Sequence, residues 1–363
     1  VTARPGLRIA AAGTVLFLVA LVGVGVLSSL GDRDAWQAWG LVAVVAVVAA
    51  ITAYAVVERH QTGRVDSISR QFDTRTILLI PVAIAMNIAL GQAVGLALKL
   101  PLYLDSVGTI LVAALAGPLA GAVTGILSSL VWAIVPPPFQ NPTLPFFAIV
   151  AATIGLLAGT FANRGWLRAR PGTPARELVI GGSIAVGAIV LLAYLAFRGW
   201  QAIGEVTRLA PESDEPLLVA LGWVAVLAVG STIVGLLIVL VRNRDLAAAY
   251  IVVAGVLTGI VAAFVAAPIV AVVFGGVTGS GTDLLVAAFR QAGVDIGAAV
   301  LGQSLISDPI DKVVAFFLVF LIIGAIPRRT LARFAQGERL LPAPRASAVP
   351  STGGASLVGE SDR

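Results

Sequence analysis

The stretch Lys99-LPLYLDSVGTILVAALAGPLAGAVTGILSSLVWAIVPP-Pro138 decides how the chain is threaded. Its 34 residues from Pro101 to Ile134 carry one charge, Asp105. A single helix of that length measures about 50 Å, whereas a bilayer core is about 30 Å thick. Gly117-Pro118 sits in the middle. It is a turn dipeptide, and proline suits the first turn of a helix but not its interior. The stretch therefore reads as two short membrane helices, 102–116 and 118–134, folded back at Gly117-Pro118. Gly108, Gly117, Gly121 and Gly125 leave room for close helix contact, and Pro136-Pro137-Pro138 ends the second helix.

The composition agrees. The chain is 58% hydrophobic and 12% charged, with a mean hydropathy of +0.99, which is that of an integral membrane protein. There are no cysteines and one histidine, His60, in a polar linker. Disulfides and Cys-based metal sites are excluded, and a His-based triad is not expected. The net charge of +5 comes from arginines that punctuate apolar segments. They read as topology signals rather than as a nucleic-acid surface.

Outward from the opening stretch, apolar runs at 8–30, 36–57, 76–98, 143–163, 178–197, 216–241, 246–274 and 309–326 read as further spans. The first could be a signal peptide, but it is long and a second span follows at once, so it reads rather as a retained helix. With 101–134 split in two, there are ten spans and both termini fall on one side. That side holds 18 of the 24 Lys and Arg residues, which makes it cytoplasmic. With a single helix in 101–134, the basic clusters at 59–75 and 164–176 would lie on opposite faces. Residues 283–306 read as a mixed helix facing a cavity or the surface. The tail from Gly337 is rich in Pro, Ser, Gly and Ala and reads as disordered.

LYLDSVGTILVAALAGPLAGAVTG, the loop GGVTGSGTD and ISDPIDKVVAFFLVFLI followed by Pro-Arg-Arg occur in that order. Together they resemble the substrate-binding S components of energy-coupling factor (ECF) transporters, over roughly 76–164 and 246–330. The resemblance implies an all-α polytopic membrane protein with a six-helix S-component-like core; this chain adds four helices. The divisions expected are a two-helix extension and basic linker at 1–75, core at 76–164, an inserted two-helix hairpin at 165–245, core at 246–330, and a disordered cytoplasmic tail at 331–363. The resemblance further implies a plasma-membrane protein that is not an enzyme. It binds a small vitamin-like or other nutrient from outside and works with a transmembrane coupling subunit and two ATPase subunits. Its expected surroundings are lipid, without nucleic acid, cofactor or metal.

The loops 99–105, 135–142 and 275–308 are expected to cap the pocket, with Tyr103, Asp105, Asn141, Ser280, Thr282, Asp308 and Lys312 as substrate-binding candidates. Each has a plainer reading. The glycine-rich loop lacks the Gly-Lys-Ser/Thr ending of a phosphate loop and otherwise reads as a turn with Asp283 capping the next helix. Asp308, Pro309 and Asp311 fit the N-cap, N1 and N3 positions of the last span. Lys312 opposes the positive end of that helix and calls for a carboxylate partner among Asp308, Asp311 and Asp105, or for a ligand. Asp105 with Ser106 could cap a helix, and Tyr103 and Trp132 could be interfacial anchors. Ala85, Ala89 and Ala93 form a small-residue stripe. It serves either internal packing or, as the resemblance implies, contact with the coupling subunit. A ligand sensor and a stand-alone secondary transporter are the competing readings. The first lacks room for an output domain after Arg328; the second usually shows ion ligands near the midplane.

Overall fold

The computed structural model describes residues 5–28, 36–92, 103–137, 140–209 and 230–342. Lys99, Ala93, the turn at 32–34, the first part of the span expected at 216–241 and the tail from 343 lie outside the described residues. The described chain is all helical. α1 (Pro5–Ser28) pairs with α2 (Trp36–Thr62). Arg8 near the start of α1 meets Glu58 near the end of α2 at 3.0 Å, so the two run antiparallel. A short α3 (Asp66–Gln71) leads to α4 (Thr74–Gly91), whose N-cap Asp73 accepts from Thr76 N at 2.8 Å, the usual way of satisfying a first-turn donor.

The decisive stretch folds as two helices, α5 (Val107–Ala116) and α6 (Pro118–Ile134), broken at Gly117. Gly117 has φ +135°, which a side chain would strain, and Pro118 takes the first helical position. Gln71 Oε1 accepts from Leu119 N at 2.9 Å, satisfying one of the free donors at the start of α6. The expected start of the first helix at 102 is corrected. Leu104 has φ +47° and Asp105-Ser106 form a turn, so regular helix begins at Val107. All ten residues of α5 are buried. At about 15 Å it covers half a bilayer core by itself.

A 3₁₀ turn (Leu144–Phe147) enters α7 (Ala148–Asn163), followed by α8 (Ala175–Leu209), α9 (Gly230–Arg242, closing in a π turn) and α10 (Ala247–Val272). Then come α11 (Asp283–Gln291), α12 (Ile296–Ala325), α13 (Arg328–Leu331) and α14 (Gly337–Leu340). Five helical segments are long and apolar enough to cross a membrane: those of α1, α2, α4, the 3₁₀ turn with α7, and α10. α5, α6 and α9 are shorter apolar helices. This is a multi-pass, all-helical membrane protein.

The main interfaces are α10 on α12 and α6 on α7, and both are built on glycine. A Cβ on Gly155 would lie 2.3 Å from the backbone of Gly121, and one on Gly259 2.4 Å from that of Pro309. Backbones approach this closely in lipid because dispersion contacts, rather than exclusion of water, hold helices together there.

Two further expectations fail. The last span does not start at Pro309: α12 runs unbroken from Ile296 to Ala325 with Pro309 inside it. The seat against Gly259 accommodates the proline, and packing overrides the local preference. Nor is the tail disordered from its start. Leu331 and Leu340 are buried, and Gln336 N donates to Leu115 O at 2.9 Å, closing the C-terminal end of α5. Arg168 Nε donates to Leu341 O at 2.7 Å and Arg339 Nη1 to Asn163 O at 2.9 Å.

The same bonds assemble the basic clusters. Arg75 reaches Arg333 O, and Arg170 N and Thr173 N reach Asp245 Oδ1 and Arg244 O. The segments 59–75, 164–176, 242–245 and 328–342 thus share one end of the bundle.

Candidate functional site

At the opposite end, the start of α5, the entry to α7 and the C-terminal end of α10 surround a cavity of about 140 Å³. All seven substrate-binding candidates line it: Tyr103, Asp105, Asn141, Ser280, Thr282, Asp308 and Lys312. Its apolar wall includes Trp132, Phe147, Val150, Ile154 and Val270.

The polar side is built by three segments locked together. Asp311, fully buried, accepts from Tyr103 N at 3.0 Å and Leu104 N at 2.8 Å through Oδ1. Its Oδ2 pairs with Lys312 Nζ. The Lys312 ammonium also donates to Ser106 Oγ at 3.0 Å and lies 3.9 Å from Asp105 Oδ1. The carboxylate partner that Lys312 calls for is therefore Asp311, with Asp105 at the edge. Tyr103 Oη and Thr282 Oγ1 share a hydrogen bond of 2.7 Å, and Thr282 is linked in turn to Ser280. The glycine-rich loop is thereby tied to the segment before α5.

Several side chains serve other ends than expected. Asp308 is no N-cap, since it lies inside α12. Asp283 does not cap α11. Its carboxylate turns back to accept from Thr278 N, Thr278 Oγ1 and Gly279 N, bracketing the loop. Asp105 makes no helix cap; Ser106 holds that position without a side-chain bond to the helix backbone. Trp132 is no interfacial anchor: it is 3% exposed and fills the space that Gly91 leaves. Asn141 Oδ1 accepts from Thr143 N and Oγ1, shaping the turn before α7.

Residues that sequence reasoning passed over include Ser128 and Ser129 on α6 and Ser304 on α12, all on the cavity wall; Gln303, in the stretch read as facing a cavity or the surface, lines it too. Asn87 was missed as well. It is fully buried, donates to Thr109 Oγ1 and Ser128 Oγ at 2.9 Å, and accepts from Gly108 N at 2.6 Å. One amide thus ties α4, α5 and α6 behind the cavity. The extra N-terminal pair also has a structural place. Trp39 of α2 packs on Phe146 at 5.4 Å, and Phe146 and Phe147 both pack on Phe274, so α2 supports the turn that carries Phe147 into the cavity.

The chain matches no protein-family model, no curated protein and no solved structure. What the site does is therefore read from its own chemistry. Among the described residues no three His, Cys, Asp or Glu side chains are grouped to hold a metal ion. The arrangement is a small cup with an apolar floor and hydrogen-bonding walls, the usual form of a site for a small molecule. Ala85 and Ala89 lie far from it in role: both are exposed on α4, on the face that also exposes Leu78 and Val82.

Proposed function

We propose that this chain captures a small nutrient from outside the cell for an energy-coupled importer, as a substrate-binding subunit of the ECF S-component type, without chemistry of its own. One observation carries the reading. The three stretches that resemble that family, separated by as much as 200 residues of sequence, all contribute to one cavity, at the end of the bundle away from the gathered arginines. The positive-inside rule puts the arginine end in the cytoplasm, so the cavity opens outward and both termini face the plasma membrane's inner side. With Asn141 outside and Ala175 inside, single cysteines in this cysteine-free chain should react with an impermeant reagent in intact cells at 141 and not at 175. The reverse pattern would invert the protein.

The importer reading requires a transmembrane coupling subunit and two ATPases. The exposed Ala85 and Ala89 suit a close helix contact with the former. Affinity purification from native membranes should recover those subunits, and Ala85→Leu or Ala89→Leu should reduce their recovery while sparing ligand binding. Unchanged recovery in both variants removes this face from the interface.

A secondary transporter is the second reading. It is favoured by Asp308, Asp311 and Lys312, which lie buried inside α12 rather than at its end, where ionisable groups mark transport pathways. Uptake into liposomes holding this chain alone would establish it over the first.

A further inference from the structure

We propose that the ligand of this cavity is a small organic cation: an ammonium or protonated ring nitrogen carried on a body about the size of a single ring. The inference rests on the capture reading above and names its substrate class.

The size comes from the cavity. A dry cavity of about 150 Å³ accommodates one benzene, and this one measures about 140 Å³. Trp132 and Phe147 supply walls for an apolar body.

The charge comes from counting which ionic groups are already committed. Lys312 is the cavity's one cation among the described lining residues, and its ammonium has three donors. Two of these go to Asp311 and Ser106, and Asp105 stands 3.9 Å away, so an anionic ligand would meet an ammonium already paired and flanked by carboxylates. Asp311 is engaged by Lys312 and two backbone N–H groups. Asp283 is engaged by the loop it brackets.

Asp308 remains. Its residue is 8% exposed and it lines the cavity, yet its one hydrogen bond among the described residues comes from Ser307 Oγ to Oδ1 at 3.3 Å. The Lys312 ammonium one turn further on lends it some charge support but is directly paired with Asp311 instead. A buried carboxylate with one long hydrogen bond and no direct ion-pair partner among the described residues is costly, and a cation in the cavity would supply what it lacks. Asp105, at the edge of the Lys312 contact, adds a second negative charge facing the same space. A bare metal ion fits less well, because no three candidate ligands are grouped here.

Three size-matched probes test this on the purified full chain in lipid nanodiscs: benzylammonium, benzyl alcohol and benzoate, read by calorimetry and thermal shift. A charged hydrogen bond corresponds to about tenfold to a hundredfold in affinity. Benzylammonium should bind tighter than benzyl alcohol by that margin, with benzoate weakest. Asp308→Asn should bring benzylammonium down to the level of benzyl alcohol while eluting as a monodisperse protein. If that variant does not fold, the charge series on the unaltered chain still decides the matter. Benzoate binding as tightly as benzylammonium, or a folded Asp308→Asn with undiminished benzylammonium affinity, overturns the proposal. Should benzyl alcohol or benzoate bind best and lose binding in Trp132→Ala, the cation inference fails and the capture reading stands. If none of the three binds, both fail.

Discussion

Asp311→Ala is expected to be the most damaging single substitution at the site, lowering stability by about 3–5 kcal/mol, the cost of stranding one member of a buried ion pair. Asp311 is fully buried, and its two oxygens do separate work. Oδ2 neutralises Lys312, while Oδ1 holds the backbone of Tyr103 and Leu104, where the chain bends through a positive φ. Alanine removes both functions at once. Asp311→Asn keeps an amide oxygen for the two N–H groups and removes only the charge, so it should fall between wild type and alanine. Adding Lys312→Met to Asp311→Asn removes the stranded cation and should recover melting temperature. An Asp311→Ala protein that melts like wild type would show that neither contact stabilises the fold. If Asp311→Asn alone melts like wild type, the charge pair carries no net stability and only the backbone anchor matters.

Gly259→Ala is expected to be the next most severe, although it adds one methyl. That methyl would meet the Cα and N of Pro309 at 2.4 Å. Backbone cannot swing aside as a side-chain tip can, so α10 and α12 must separate. Overpacking of this kind costs about 1–3 kcal/mol, and the upper end is expected because this is the most extensive helix interface among the described residues. The separation also shifts Asp308, beside Pro309, relative to Ala262 and Ala266, which line the same cavity from α10, so ligand affinity should fall along with the melting temperature. Gly187→Ala in α8 is the control. Nothing lies within 4 Å of a Cβ there, and the change should be neutral or slightly stabilising, since alanine is the better helix former. Equal melting temperatures for the two variants would mean that the α10–α12 contact is looser than described.

The membrane class and the break at Gly117-Pro118 were legible in sequence because they rest on local chemistry. A 34-residue apolar run is too long for one span, and a Gly-Pro pair ends helices almost irrespective of context. Polar residues at helix ends beside apolar spans were also legible as candidates, and the seven named ones do line one cavity. Reading Asp308-Pro309 as a helix start failed, and it hid the most informative pattern on the wall. In one continuous helix Ser304, Asp308 and Lys312 recur every four residues and share a face; in two helices they do not. Local preference cannot reveal that Pro309 sits in the middle of α12, because what makes it tolerable is Gly259, 50 residues away. The same limit applies to Trp132, whose burial depends on the missing side chain of Gly91, and to the segment 331–342, which looked like tail until its apolar residues found the ends of α5 and α7. Sequence by itself determined what the chain is made to live in and where it turns. Which carboxylate holds Lys312, and which is left facing the cavity, only tertiary packing decided, since charges one to four residues apart on one helix are distinguished only by what the other helices bring to them.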